Sequence, residues 1–107
     1  HGLANAILLP YAMAFNREAA KDQLKDIAAA FGVDVQALPA DESAQSAIEQ
    51  VVKLCKDIGI PSRLRDVNVT EEMIPVLAAK AMADGCYLTN PRPCTEQDMI
   101  DLYRQAI

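Results

Sequence analysis

The stretch that decides the fold is the opening one, His1-Gly2-Leu3-Ala4-Asn5-Ala6-Ile7-Leu8-Leu9-Pro10-Tyr11-Ala12-Met13-Ala14-Phe15-Asn16. Apolar residues run unbroken from Ala6 to Phe15. A helix that is apolar on every side belongs in a core, with the other elements packed around it. His1, the only histidine in the chain, stands at the open end of this helix. That position aims a single imidazole upstream of a buried rod, which reads as the severed end of a larger active site. The first residue is His rather than Met and the first helix carries no cap, so the chain is expected to be a piece of a longer protein.

Working outward, 107 residues fit one domain with a modest core. Hydrophobic residues make up 51% and charged residues 23%, the balance of a soluble globular protein. Ten Lys and Arg against fifteen Asp and Glu leave a net charge of −5, with no basic run, so a nucleic-acid partner is not expected. The apolar run at 6–15 falls short of the roughly 20 residues a membrane span needs, and it lacks the positive flank of a signal peptide. No membrane partner is expected either. Cys55, Cys86 and Cys94 are odd in number and show no CxxC spacing, which predicts free thiols in a reducing compartment and a cytoplasmic location.

The rest of the chain reads as consecutive helices. Asn16 is the expected N-cap of a second helix over 17–31, with Ala20, Leu24, Ile27, Ala28 and Phe31 on one core-facing stripe and Gly32 as its left-handed stop. Asp41 or Ser43 is expected to cap a third helix presenting Ala44, Ile48, Val51, Val52, Cys55 and Ile58, ended by Gly59 and Pro61. Leu64 is the expected anchor of the irregular stretch that follows. Thr70 marks a fourth helix start, with Glu71 and Glu72 at the positive end of its dipole. Pro75 implies a 3₁₀ first turn or a later start, and Gly85 weakens the helix without clearly ending it. Asn90-Pro91-Arg92-Pro93 cannot continue a helix. Thr95-Glu96-Gln97-Asp98 resembles a capping box opening a last helix with Met99, Ile100, Leu102, Tyr103 and Ala106 on its core side. No segment alternates with the period of a strand, and there is no internal repeat. The predicted fold class is all-α, a bundle of five or six helices.

Composition and spacing alone contain no complete catalytic set. The strings themselves resemble a known family. His1-Gly2-Leu3-Ala4-Asn5-Ala6-Ile7-Leu8-Leu9-Pro10 with Phe15-Asn16, then Ile27-Ala28 before Gly32, Asp57-Ile58-Gly59-Ile60-Pro61, and Thr89-Asn90-Pro91-Arg92 after Cys86 look like the iron-containing (group III) alcohol dehydrogenases. The matches fall in order and cover essentially the whole chain. The resemblance implies residues 1–107 are the C-terminal all-helical metal-site domain of a dehydroquinate synthase-like architecture. The N-terminal dinucleotide-binding domain would then be a partner within the same polypeptide. It implies a metal, Fe²⁺ or Zn²⁺, held by one Asp and three His, the last of which heads a Pro-His-Gly motif that His1-Gly2 matches in part. The implied cofactors are this metal and NAD(P). The implied reaction interconverts a small alcohol with an aldehyde or ketone, in a homo-oligomer when full length. Three of the four ligands would lie outside this chain, so the fragment alone is expected to be inactive.

Other residues carry two readings each. Cys86 lies in a stretch that, in the family, approaches the substrate and nicotinamide pocket, so it is a candidate cofactor-pocket residue. A small buried thiol is the alternative. Asn5, one turn after His1, either supports it or makes an ordinary helix hydrogen bond. Arg92 is expected to pair with a carboxylate near its turn rather than bind an anion. Cys94 has no assigned role, and Tyr11 stands where close relatives often carry His. Two alternative readings of the whole remain beside the dehydrogenase: a non-catalytic helical interaction module, and a glycerol dehydrogenase-like zinc enzyme.

Overall fold

A computed structural model describes residues 2–107, and His1 lies outside the described residues. Five α-helices account for most of the chain: α1 (Gly2–Asn16), α2 (Lys21–Ala30), α3 (Ala40–Asp57), α4 (Ile74–Asp84) and α5 (Glu96–Ala106). Short 3₁₀ turns at Val35–Ala37, Leu64–Val67, Glu71–Met73 and Cys86–Thr89 join them, and no strand occurs among the described residues.

Two clusters of buried side chains share α1 between them. In the first, Met13 packs with Leu24 of α2 and with Ile48 and Val51 of α3. The contact between α2 and α3 is made by alanines: Ala28, Ala44 and Ala47 are fully buried, and their short side chains let the two backbones approach closely. In the second cluster, Ile7 meets Leu64 and Ala106. Leu64, 1% exposed, is thus the anchor expected of its loop. Full burial of one leucine contributes about 1.5–3 kcal/mol, enough to hold an otherwise irregular segment.

α1 itself departs from the expectation. Only Ile7 and Met13 are buried along it, while Leu3 and Leu9 are 44% and 47% exposed. The molecule is only 18 Å across its thinnest direction, less than two helix diameters of roughly 10–12 Å each. Elements this thin in their stacking cannot enclose one helix on all sides. Pro10 sits inside an unbroken α1, removing one backbone hydrogen bond without ending the helix.

Helix boundaries follow local chemistry except where distant residues intervene. Asn16 closes α1 rather than capping α2, which starts five residues later at Lys21 after a turn whose Ala20 N–H donates to the Asn16 carbonyl. Ile27 and Phe31 of the predicted stripe are exposed, because α2 packs into the core only along the narrow Ala20–Leu24–Ala28 row. Pro39 precedes α3 at the N-cap position, and Asp41 and Ser43 lie inside the helix. Val52 and Ile58 are exposed, so the buried face of α3 is Ala44, Ala47, Ile48 and Val51. Gly59 stops α3 with φ +80, and Gly85 stops α4 outright with φ +81, a left-handed conformation that L-residues with a side chain seldom adopt. The start of α4 is resolved as a 3₁₀ turn at Glu71–Met73 with Pro75 in the first turn of the α-helix.

The capping box of α5 is complete. Asp98 N–H donates to the Thr95 hydroxyl oxygen at 3.2 Å, and Thr95 N–H donates to the Asp98 carboxylate at 2.9 Å. That backbone hydrogen bond holds the Asp98 carboxyl below its ordinary value of 3.8. A carboxyl lowered in the folded state adds stability above its unfolded value and loses it as the pH falls through the lowered one. Thermal unfolding followed by circular dichroism is therefore expected to show stability falling on acidification below about 3.8, with a shallower fall in Asp98→Asn. An identical acid dependence in the variant would contradict this account of the box.

Candidate functional site

α1 presents Asn5, Leu8, Ala12, Phe15 and Asn16 on one face, at spacings of three and four residues. This face forms one wall of a cavity of about 420 Å³. Ala81 near the end of α4 and the turn residues Cys86 and Tyr87 form a second wall. Asn90, Cys94 and the α5 residues Met99, Leu102 and Tyr103 complete it. The lining is mostly apolar with a few amide, thiol and phenol groups, the composition of a small-molecule site.

The wall bearing Cys86 is fixed by contacts that span most of the chain. Asn90 Nδ2 donates to Asn16 Oδ1 at 2.7 Å, and Asn16 Nδ2 donates back to Asn90 Oδ1 at 3.0 Å. Asn90 Nδ2 also donates to the Arg92 carbonyl at 2.6 Å, closing the turn around Pro91. Arg92 Nη1 donates to the Phe15 carbonyl at 3.1 Å, and its guanidinium carbon lies 3.9 Å from the centre of the Phe15 ring. Phe15 sits in the last turn of α1, where carbonyls lack helical partners and a cation is favoured. Arg92 therefore caps the end of α1. Its partners are a carbonyl and an aromatic face, not the carboxylate expected from the sequence.

Of the sequence candidates, Cys86 and Asn5 line this cavity together, and Cys94 joins them. Cys86 is exposed, so it is not a packed core thiol. Its thiol donates to the Asp84 carboxylate at 3.0 Å, and this bond to a neighbouring anion pushes the Cys86 thiol up. Cys86 is thus protonated at neutral pH and unsuited to act as a nucleophile. Burial pushes up the Cys94 thiol and the Tyr103 phenol as well. Neutral groups line the cavity. Asn5 is exposed at its edge, and among the described residues no hydrogen bond ties its amide. Tyr11 lies where α1 turns from this cavity to a second groove, with its hydroxyl donating to the Ser62 carbonyl at 3.0 Å.

His1, the expected metal ligand, lies outside the described residues. Among the described residues no group of three or more His, Cys, Asp or Glu side chains is placed to hold a metal ion. These residues do not fit a metal by themselves, and the sequence offers no glycine-rich loop for the phosphates of a dinucleotide. What the chain does supply is a small, neutral, largely apolar chamber. No local sequence signal links Asn16 to Asn90, because their contact joins residues 74 apart. The adjacency of Asn90 to Pro91, where the helix pattern breaks, is the signal that marked its half of it.

A model of the family described as "Fe-containing alcohol dehydrogenase family, C-terminal" matches residues 1–107. The chain is 44% identical over 106 residues to lactaldehyde reductase of Escherichia coli (strain K12), covering 99% of this chain and 28% of that protein. It is 40% identical over 106 residues to 1,3-propanediol dehydrogenase of Klebsiella pneumoniae, covering 99% of this chain and 27% of that protein. Among solved structures, 1,3-propanediol oxidoreductase superposes with a TM-score of 0.95 at 39% identity, over 100% of this chain and 28% of that one. The chain therefore spans little more than a quarter of the length of the proteins it matches.

Removal of the Asn90 amide is expected to leave Asn16 unpaired and free the Cys86 turn. Asn90→Ala should destabilise the chain by about 1–3 kcal/mol in denaturant unfolding, the usual cost of stranding a hydrogen-bonding partner. Unchanged stability would show that the amide pair does not hold this wall.

Proposed function

The chain belongs to the Fe-containing alcohol dehydrogenase family, and from that premise we propose that it is the C-terminal part of an enzyme interconverting an alcohol with an aldehyde or ketone. The observation that carries the reading is the α1 face. The helix that begins at Gly2 lines the same chamber as Cys86, joining two parts of the family-like pattern in one place. In the proposal this chamber would receive the substrate beside the nicotinamide of NAD(P), with phosphate contacts made outside this chain. His1 supplies one ligand of an Fe²⁺ or Zn²⁺ site whose other ligands also lie outside it.

The described residues have roles that need no metal. Leu8, Ala12, Phe15, Met99 and Leu102 exclude water from the chamber and favour the carbon skeleton of a small alcohol. Dry surroundings strengthen any electrostatic interaction at the reacting carbon. Cys86, held protonated by Asp84, supplies a neutral wall against the planar nicotinamide rather than a covalent intermediate. Arg92, Asn16 and Asn90 position that wall without reaching the substrate. Hydride transfer itself belongs to the cofactor, and the protein's part is orientation.

Among the described residues no helix is long and apolar enough to cross a membrane. Cys55, Cys86 and Cys94 are all free, which supports placing the enzyme in the reducing cytoplasm. The full-length protein is proposed to form homo-oligomers, with the remainder of its own polypeptide as the partner of these helices.

The test uses the full-length protein with and without His1→Ala. Each is reconstituted anaerobically with Fe²⁺, and NAD(P)H oxidation is followed with a short aldehyde. Metal-dependent turnover that collapses by about 10²-fold or more in the variant is expected, the scale typical for loss of a group that orients or supports a metal. No turnover with any metal or nicotinamide cofactor, in a folded full-length protein, would contradict the dehydrogenase reading and favour a non-catalytic helical module.

A further inference from the structure

The Cys86 chamber is long as well as apolar. Its α1 wall extends from Asn5 to Phe15, about 15 Å of helix at 1.5 Å per residue. An extended carbon chain advances about 1.2 Å per bond, because the three backbone bonds of one residue span roughly 3.3–3.6 Å. A three-carbon substrate whose oxygen sits at one end therefore reaches only about a quarter of the way along the wall. The two ends are not alike. At one, Asn16 and Asn90 spend their amides on each other. At the other, Asn5 is exposed, and it is the lining residue closest to His1 in the sequence. The reacting oxygen belongs at the Asn5 end, which leaves the row beyond it for carbon.

Leu8, Ala12 and Phe15 of α1 and Met99 and Leu102 of α5 are all half-buried, so part of their apolar surface stays open to the chamber. Each methylene that leaves water for such a surface tightens binding about threefold to fourfold. Ala12 on α1 and Ala81 on α4 bear the smallest side chains of the lining, and between them they leave the passage its width. Among the described residues no charged side chain lines the chamber, so a phosphate or carboxylate on the substrate would enter without a counter-charge. The lining therefore selects an uncharged hydrocarbon tail.

We propose that the full-length enzyme takes straight-chain primary alcohols and aldehydes of about five to eight carbons in preference to three-carbon ones, their tails lying along the Leu8–Ala12–Phe15 row. This deepens the dehydrogenase reading and rests on it. The redox step is the same for every tail: the aldehyde carbon gains a hydride from NAD(P)H and its oxygen gains a proton, giving the alcohol and NAD(P)⁺. The tail adds binding, and Ala12 and Ala81 decide how long a tail is admitted.

The test uses the full-length protein, reconstituted anaerobically with Fe²⁺ and assayed for NAD(P)H oxidation with propanal, pentanal, hexanal and octanal. Expected is a kcat/KM about tenfold or more higher for hexanal than for propanal. In Ala12→Leu and in Ala81→Leu, which narrow the passage from separate helices, the hexanal-to-propanal ratio is expected to fall about tenfold. The second variant keeps the test decisive if the first does not fold. A kcat/KM that is flat or falls from propanal to hexanal in the unaltered protein overturns the proposal, while turnover of propanal upholds the dehydrogenase reading. An unchanged ratio in the folded variants overturns it as well. Occupancy is read apart from turnover by iodoacetamide alkylation of Cys94, a half-buried residue of the same lining. 1-Hexanol is expected to slow this alkylation about threefold or more relative to ethanol at equal concentration. Protection in a protein that turns over no aldehyde upholds the tail site and removes only the dehydrogenase reading. Equal alkylation in the two alcohols overturns the proposal.

Discussion

Everything in this fold depends on the need of α1 to bury an apolar surface that runs all the way round it. One side of the helix gives Met13 to the α2–α3 pair, and another gives Ile7 to Leu64 and Ala106. No other helix contributes buried residues to both clusters, so α1 is the link between them. The ion pairs on the surface are secondary. Lys21 bonds Asp41 at 2.8 Å and Glu18 at 2.9 Å, but both carboxylates are largely exposed, and exposed pairs lose to solvent and to side-chain entropy most of what geometry offers. Apolar burial at Ile7, Leu24, Leu64 and Ile74 outweighs them.

The same constraint links packing to function. A helix shared by two cores is held from several directions, and its remaining face makes a rigid chamber wall. The segment carrying Cys86 is a single short 3₁₀ turn, so fixing it against α1 falls to Asn16, Asn90 and Arg92 at the far end of that helix. A chamber built on a helix and closed by a pinned turn keeps its shape better than one built on loops alone.

Much of this was legible in the sequence, and for physical reasons. The capping box at Thr95, the glycine stop at Gly59 and the anchor at Leu64 are set by neighbouring residues, so local reading finds them. The errors have one cause. Asn16 reads as a helix start because its side chain suits that role, yet a partner 74 residues away draws it into the end of α1 instead. Val52, Ile58 and Phe31 read as core because they continue an apolar stripe, and they stay exposed because no described element packs there. The chamber was legible only through the family-like strings. A lone Cys and an amide carry no chemistry that spacing alone reveals.

The central claim, that α1 is the element on which the structure closes, is tested most directly by amide hydrogen exchange on the full-length native protein. The account predicts that amides along 7–15, Pro10 aside, exchange only through global unfolding and are the slowest in residues 2–107. Exchange along α1 that is faster than along α2 and α3, through local opening, would contradict it.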